Sequence, residues 1–133
     1  MPVTYEIDHG QRLVVATPHG VLTDADVFGY QQEVWSRPEV KGYDELIDMA
    51  GVSQIEFVST KRIAFLADLS ASMDPPALAS KLAIIATADL HFGLARMYET
   101  YRETAKQGTK AVRVFRNRNE ALQWLGTSIQ PAS

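Results

Sequence analysis

A chain of 133 residues, 46% hydrophobic and 22% charged, has the size and composition of one globular domain with its own core. Sixteen acids against thirteen bases leave a net charge of −3, which argues against bulk attraction to nucleic acid or an anionic membrane. The absence of cysteine excludes a disulfide framework, a thiolate nucleophile and any cysteine-bound zinc or iron–sulfur site.

Val3, Tyr5 and Ile7 alternate with polar residues, the period of a half-buried strand. Asp8-His9-Gly10-Gln11 reads as a tight turn in which Gly10 takes a positive φ. Arg12 to Ala16 is apolar on both faces and predicts an interior strand, so the chain opens with an antiparallel hairpin. Thr23-Asp24-Ala25-Asp26 has capping-box spacing for a helix that buries Val27, Tyr30 and Val34 and stops before Pro38. Tyr43 to Ala50 predicts a third strand, with Asp48 near its carboxyl end and Gly51 breaking it. A second helix is predicted from Ser59 to Ser72, and Leu82 to Ala86 reads as a central parallel strand. A third helix, about Leu90 to Lys106, is expected to present Leu90, Leu94, Met97 and Tyr101 on one stripe, with Glu99, Arg102 and Glu103 elsewhere, and to end at Gly108. Lys110 to Arg116 predicts the last strand, with one face or edge wet at Arg113. Asn117 and Glu120 cap a short closing helix, and Thr127 to Ser133 is expected to be a frayed tail. The order β-β-α-β-α-β-α-β-α predicts an α/β domain, residues 1–126, with a mixed, largely parallel sheet covered by about four helices.

No apolar run approaches the roughly 20 residues of a membrane span, and the amino terminus lacks a basic, apolar leader, so a soluble cytoplasmic protein is expected. Charge is uneven. Residues 1–60 hold ten acids against three bases (net −7), and residues 61–133 hold ten bases against six acids (net +4). Lys106, Lys110, Arg113, Arg116 and Arg118 form a cationic run that reads either as solvated surface or as a docking face for an acidic partner.

The sequence has no phosphate-loop, dinucleotide or nucleophile-elbow motif. Asp24 and Asp26 have a calcium-loop spacing, but the following residues lack further oxygen ligands, and both acids suit a helix start. His9, His19 and His91 are scattered, so no metal site and no cofactor is expected.

Ligands in α/β sheets sit outside the carboxyl ends of the strands, which directs attention to two helix starts. At Val58-Ser59-Thr60-Lys61-Arg62, two hydroxyls precede two cations in a first helical turn, where cations oppose the dipole unless an anion binds. The plainer alternative makes Ser59 an ordinary N-cap and pairs Lys61 with Glu56. At the second start, Asp89 disfavours an anion, Phe92 and Arg96 lie four apart for ring–guanidinium stacking, and Gly93 suggests close approach of a neighbour. The second helix carries two apolar stripes. Ile63, Leu66 and Ala67 form one and Phe65, Leu69 and Met73 the other; one stripe can face the sheet, and the other is left exposed for a partner subunit or an apolar ligand.

Leu46-Ile47-Asp48-Met49-Ala50-Gly51-Val52, followed by the Ser-Thr pair that opens the next helix, resembles the STAS fold of anti-sigma-factor antagonists of the SpoIIAA type and of sulfate-transporter cytoplasmic domains. Phe92-Gly93-Leu94-Ala95-Arg96-Met97-Tyr98-Glu99, with Val114-Phe115-Arg116 and Ala121-Leu122-Gln123-Trp124-Leu125, is similar to small bacterial SpoIIAA-like proteins. The resemblance covers residues 3–126. It implies a regulatory domain whose phosphorylatable serine corresponds to Ser59, with Val58 where the family has an acid and Lys61 at the glycine position. The fold also resembles the CRAL-TRIO lipid carriers, which implies an apolar ligand under the second or third helix.

The sequence thus predicts a non-enzymatic regulatory or binding module acting through a protein partner or a homodimer, or else a carrier or sensor of a small apolar molecule. Its candidate residues are Asp48, Ser59, Thr60, Lys61, Arg62, Asp89, His91, Phe92 and Arg96. A less favoured alternative is an enzyme using Asp48, Asp89 or His91 in acid–base roles.

Overall fold

The alternation at the amino terminus produces β1 (Val3–Asp8), which pairs antiparallel with β2 (Leu13–Leu22) from Val3↔Pro18 to Asp8↔Leu13. The computed structural model describes residues 3–56, 59–76, 78–105 and 108–126. Val58, Lys106 and the tail expected from Thr127 lie outside the described residues. Arg12, with φ of 54°, takes the left-handed position that the sequence assigned to Gly10. Its guanidinium lies over the Tyr43 ring, 4.9 Å from the centroid, which helps hold it there.

Helix α1 (Asp24–Val34) opens on the predicted capping box. Thr23 Oγ1 accepts from Asp26 N, and Thr23 N donates to Asp26 Oδ2. After a 3-10 turn (Pro38–Val40), β3 (Asp44–Asp48) runs parallel to the first half of β2. Here the structure corrects the sequence. Gly51 does not end the sheet but begins another strand, β4 (Gly51–Ile55), parallel to the second half of β2 from His19↔Gly51 to Leu22↔Ile55. His19 therefore lies in a strand, and β2 is twice as long as β3, at ten residues against five. The β2–β4 ribbon projects beyond the other strands, and α1 and α2 (Thr60–Ser72) both leave from its tip.

The remaining elements are β5 (Ser80–Ile85), α3 (Asp89–Thr104), β6 (Lys110–Phe115) and α4 (Arg118–Leu125). The result is a six-stranded, mostly parallel sheet in the order β1-β2-β3-β5-β6, with β4 beside β2, and four α-helices. Strand alternation divides the core. Val14, Ala16, Ile47, Ile84 and Val112 face α1, α2 and α3, whereas Leu13, Leu46, Ala83 and Ile85 face α4 alone.

Helix α3 is rotated from its expected orientation. His91, Ala95 and Arg102 are buried, while Leu90 is 66% exposed. Ala95 faces the cavity beside the sheet, and Arg102 turns inward because a buried acid, Asp74, awaits it at 3.3 Å. Gly93 meets nothing within 4 Å of where a Cβ would stand, so the close approach expected there is not made. α3 ends at Thr104 and is capped by Ala105, not by Gly108.

Candidate functional site

The residues singled out in the sequence fall at two separate places. At the start of α2, Ser59 is the N-cap and its Oγ accepts from Arg62 N at 3.2 Å. Ser59, Thr60, Lys61 and Arg62 are all exposed. Arg62 reaches across to α1, where its Nε donates to Asp24 Oδ2 at 2.6 Å, and its guanidinium also lies over Phe65. That bridge ties the first turns of α1 and α2 together, and the Lys61–Glu56 pair is not formed. Of the second apolar stripe on α2, Phe65 stays 45% exposed, but Met73 packs against the core, so the open patch is narrower than expected.

The other group lies at the carboxyl ends of β3, β5 and β6. Asp48 Oδ2 accepts from Arg118 Nη1 at 2.9 Å. Asp89 Oδ1 accepts from Arg116 Nη1 at 2.7 Å, and the same guanidinium sits 4.0 Å from the centre of the Phe92 ring. The ring's cation is thus Arg116, just past the end of β6, not Arg96 one helical turn away. A residue 24 positions further along the chain supplies what local spacing assigns to a neighbour in sequence. Arg96 is exposed, and His91 is turned inward at 8% exposure. No hydrogen bond links Asp48, Asp89 and His91 among the described residues, and no group of three metal-ligating side chains forms among them.

The cationic run is mostly consumed inside the molecule. Lys110 is buried against Glu45, Arg116 and Arg118 face Asp89 and Asp48, and Arg113 lies over Phe115 and Trp124.

Two features had no signal in local sequence. The first is an apolar cavity of about 100 Å³, partly open to solvent, between the sheet and helices α1, α2 and α3. Ala16 and Ile47 form its floor, Val27 and Leu66 line its helical walls, and Ala95 and Leu94 close it on the α3 side. Among the described residues, no side chain that is charged at neutral pH lines it. The second is a buried ionic cluster at the opposite, amino-terminal ends of β3 and β6. Glu45 Oε2 accepts from Tyr30 Oη at 2.6 Å and from Trp35 Nε1 at 3.1 Å, and Glu45 Oε1 faces Lys110 Nζ at 3.3 Å. Lys110 Nζ also sits 3.4 Å from the centre of the Trp35 ring. Alongside, Asp74 Oδ2 accepts from the backbone N–H groups of Thr109 and Lys110 and faces Arg102. A second chamber of about 10 Å³, room for one water, lies among these groups.

Burial governs titration here. Loss of solvent pushes the Tyr30 phenol well above its ordinary range, and the Glu45 carboxylate adds to that. Loss of solvent also raises the Tyr98 phenol, partly offset by Arg102. It lowers the Lys110 ammonium, with Glu45 opposing the shift.

No protein-family model matches the sequence, and no curated protein matches it. Among solved structures, the chain is similar to an uncharacterized protein of the DUF3478 family with a SpoIIAA-like fold from Shewanella loihica PV-4. That likeness has a TM-score of 0.59 at 17% identity and covers 92% of this chain and 93% of the other. What two chains so diverged share is the path of the backbone, and this chain accordingly has the SpoIIAA-like fold.

Proposed function

We propose that the protein is a binding module that takes up a small apolar molecule in the cavity between the sheet and helices α1–α3. The cavity itself carries this reading. At roughly 24 cal/mol per Å³, leaving about 100 Å³ of apolar space unfilled costs about 2 kcal/mol. That is a substantial part of the 5–15 kcal/mol that stabilises an ordinary domain, and a ligand would recover it. An engineered apolar cavity of about 150 Å³ accepts benzene, so this one suits a body of about one six-membered ring or smaller. The partial opening gives such a body a way in.

The test is a titration with toluene followed by thermal unfolding, with native mass spectrometry of protein freshly purified from its host. A ligand at 100 times its Kd stabilises by about 2.7 kcal/mol, so Tm should rise by several degrees. An unchanged Tm across a series of ring-sized apolar probes, with clean spectra of the bare chain, would overturn the reading.

A second, regulatory reading rests on the exposed start of α2. A phosphate on Ser59 would stand at a helix amino terminus beside Lys61 and Arg62, where both dipole and charge favour it. It would also displace Arg62 from Asp24 and so free α2 from its tie to α1, which changes the surface offered to a protein partner or a second copy. Intact mass from the native host should then fall by one phosphate on phosphatase treatment, and Ser59→Ala should remove that difference. Peptides containing Ser59 that never carry phosphate while the protein is active in its host would end this second reading.

A further inference from the structure

Three polar side chains line the otherwise apolar cavity: Tyr30, Gln31 and Tyr98. The Tyr30 hydroxyl is already engaged, donating to Glu45 and accepting from Trp35. The Tyr98 hydroxyl makes no hydrogen bond to a described side chain but lies within the influence of the buried Arg102 guanidinium. Gln31 is only 5% exposed, it lies on the inner face of α1, and its carboxamide takes part in no hydrogen bond among the described residues. It also borders the small polar chamber beside Glu45, so it stands at the boundary between the two spaces. Its carboxamide offers two donors and two acceptor lone pairs, and its polar atoms are not sealed off, so a ligand group can reach them.

Resting on the cavity reading above, we propose that the ligand is a small neutral amphiphile, with a ring-sized apolar body and one hydroxyl, carbonyl or amide group that pairs with Gln31. Neutrality follows from the lining. Among the described residues, a carboxylate would meet no Lys, Arg or His in the cavity, and an ammonium would meet no Asp or Glu there. Either ion would lose its water with no compensating partner. A hydroxyl or carbonyl meets in Gln31 a carboxamide that can both donate and accept. Gln31 thus sets which end of the ligand enters first.

Phenol, toluene and benzoate are the probes, measured by calorimetry on the full chain and on Gln31→Met, which preserves side-chain length without the carboxamide. The wild-type protein should bind phenol and toluene but not benzoate. Gln31→Met should lose about tenfold or more in phenol affinity, the size of one buried hydrogen bond left unmade. Toluene affinity should stay within about threefold. Phenol binding indifferent to Gln31→Met, or benzoate bound as well as phenol, would overturn the assignment while toluene binding left the cavity reading standing. Neither phenol nor toluene binding would overturn both. Should Gln31→Met fail to fold, the wild-type protein decides alone: its Gln31 side-chain amide resonances must move with phenol and much less with toluene, and equal movement overturns the assignment.

Discussion

Replacing Glu45 with leucine should unfold the protein or leave it barely stable, whereas Lys110→Met alone should be milder and the two together should restore most of the loss. Glu45 is 2% exposed and serves three partners: the Tyr30 hydroxyl, the Trp35 indole N–H and the Lys110 ammonium. Its removal leaves a buried cation without a counter-charge, which costs about 3–5 kcal/mol, and strands two further donors. Lys110→Met leaves the carboxylate with two strong donors and keeps an unbranched apolar side chain over Trp35, so less is lost. The double variant removes the uncompensated charge altogether. Urea unfolding of the three variants and the wild type closes a double-mutant cycle, and a coupling below about 1 kcal/mol would show that the pair is not held as described.

The same cluster gives a pH signature. Burial holds Lys110 below the ordinary lysine range in the folded state, so between that lowered value and 10.5 the unfolded chain binds more protons and stability rises with pH. Taking away the Glu45 charge removes the attraction that opposes this shift and widens the window. The deficit of Glu45→Gln, which keeps shape without charge, should therefore shrink as pH is raised toward 10. Tyr30 and Tyr98 act in the other direction. Their raised values supply stability that is full below pH 10 and is lost as pH climbs through them.

The opening hairpin, the alternation of strands and helices and the helix caps were legible in the sequence because they depend on local chemistry. The capping box at Thr23, the Ser59 cap and the Asn117 cap each sit where spacing puts them, since each is settled within four residues. The fourth strand was not legible. Gly51 is a turn residue by propensity, and only the extra length of β2 gives Val52 to Ile55 an edge to pair with. The rotation of α3 escaped for a similar reason: an arginine looks like surface until a buried acid 28 residues earlier is placed beside it. The cationic run failed in the same way, because its charges are answered by Glu45, Asp48 and Asp89, all distant in sequence. The cavity has no local signature at all. It is the space that Ala16 and Ala95 leave on facing elements, and alanine in a strand or helix is unremarkable by itself.

Those two alanines make the second large effect testable. Ala95→Leu adds apolar atoms on a helix that tolerates leucine well, next to about 100 Å³ of empty apolar space. Where a tightly packed core would be strained by about 1–3 kcal/mol, this one should be stabilised by up to about 2 kcal/mol, raising Tm by several degrees. Ala16→Val, from the sheet side of the same space, should do the same to a smaller extent, since it adds fewer atoms. Both variants should lose the thermal shift that toluene produces in the wild-type chain, because the added side chain occupies the volume the probe would take. Gain of stability together with loss of probe binding is the pattern of a cavity kept open at a cost to the fold. Destabilisation of both variants with probe binding unchanged would mean that the space near the two alanines is not where the probe goes, and the binding site would have to be sought elsewhere on the molecule.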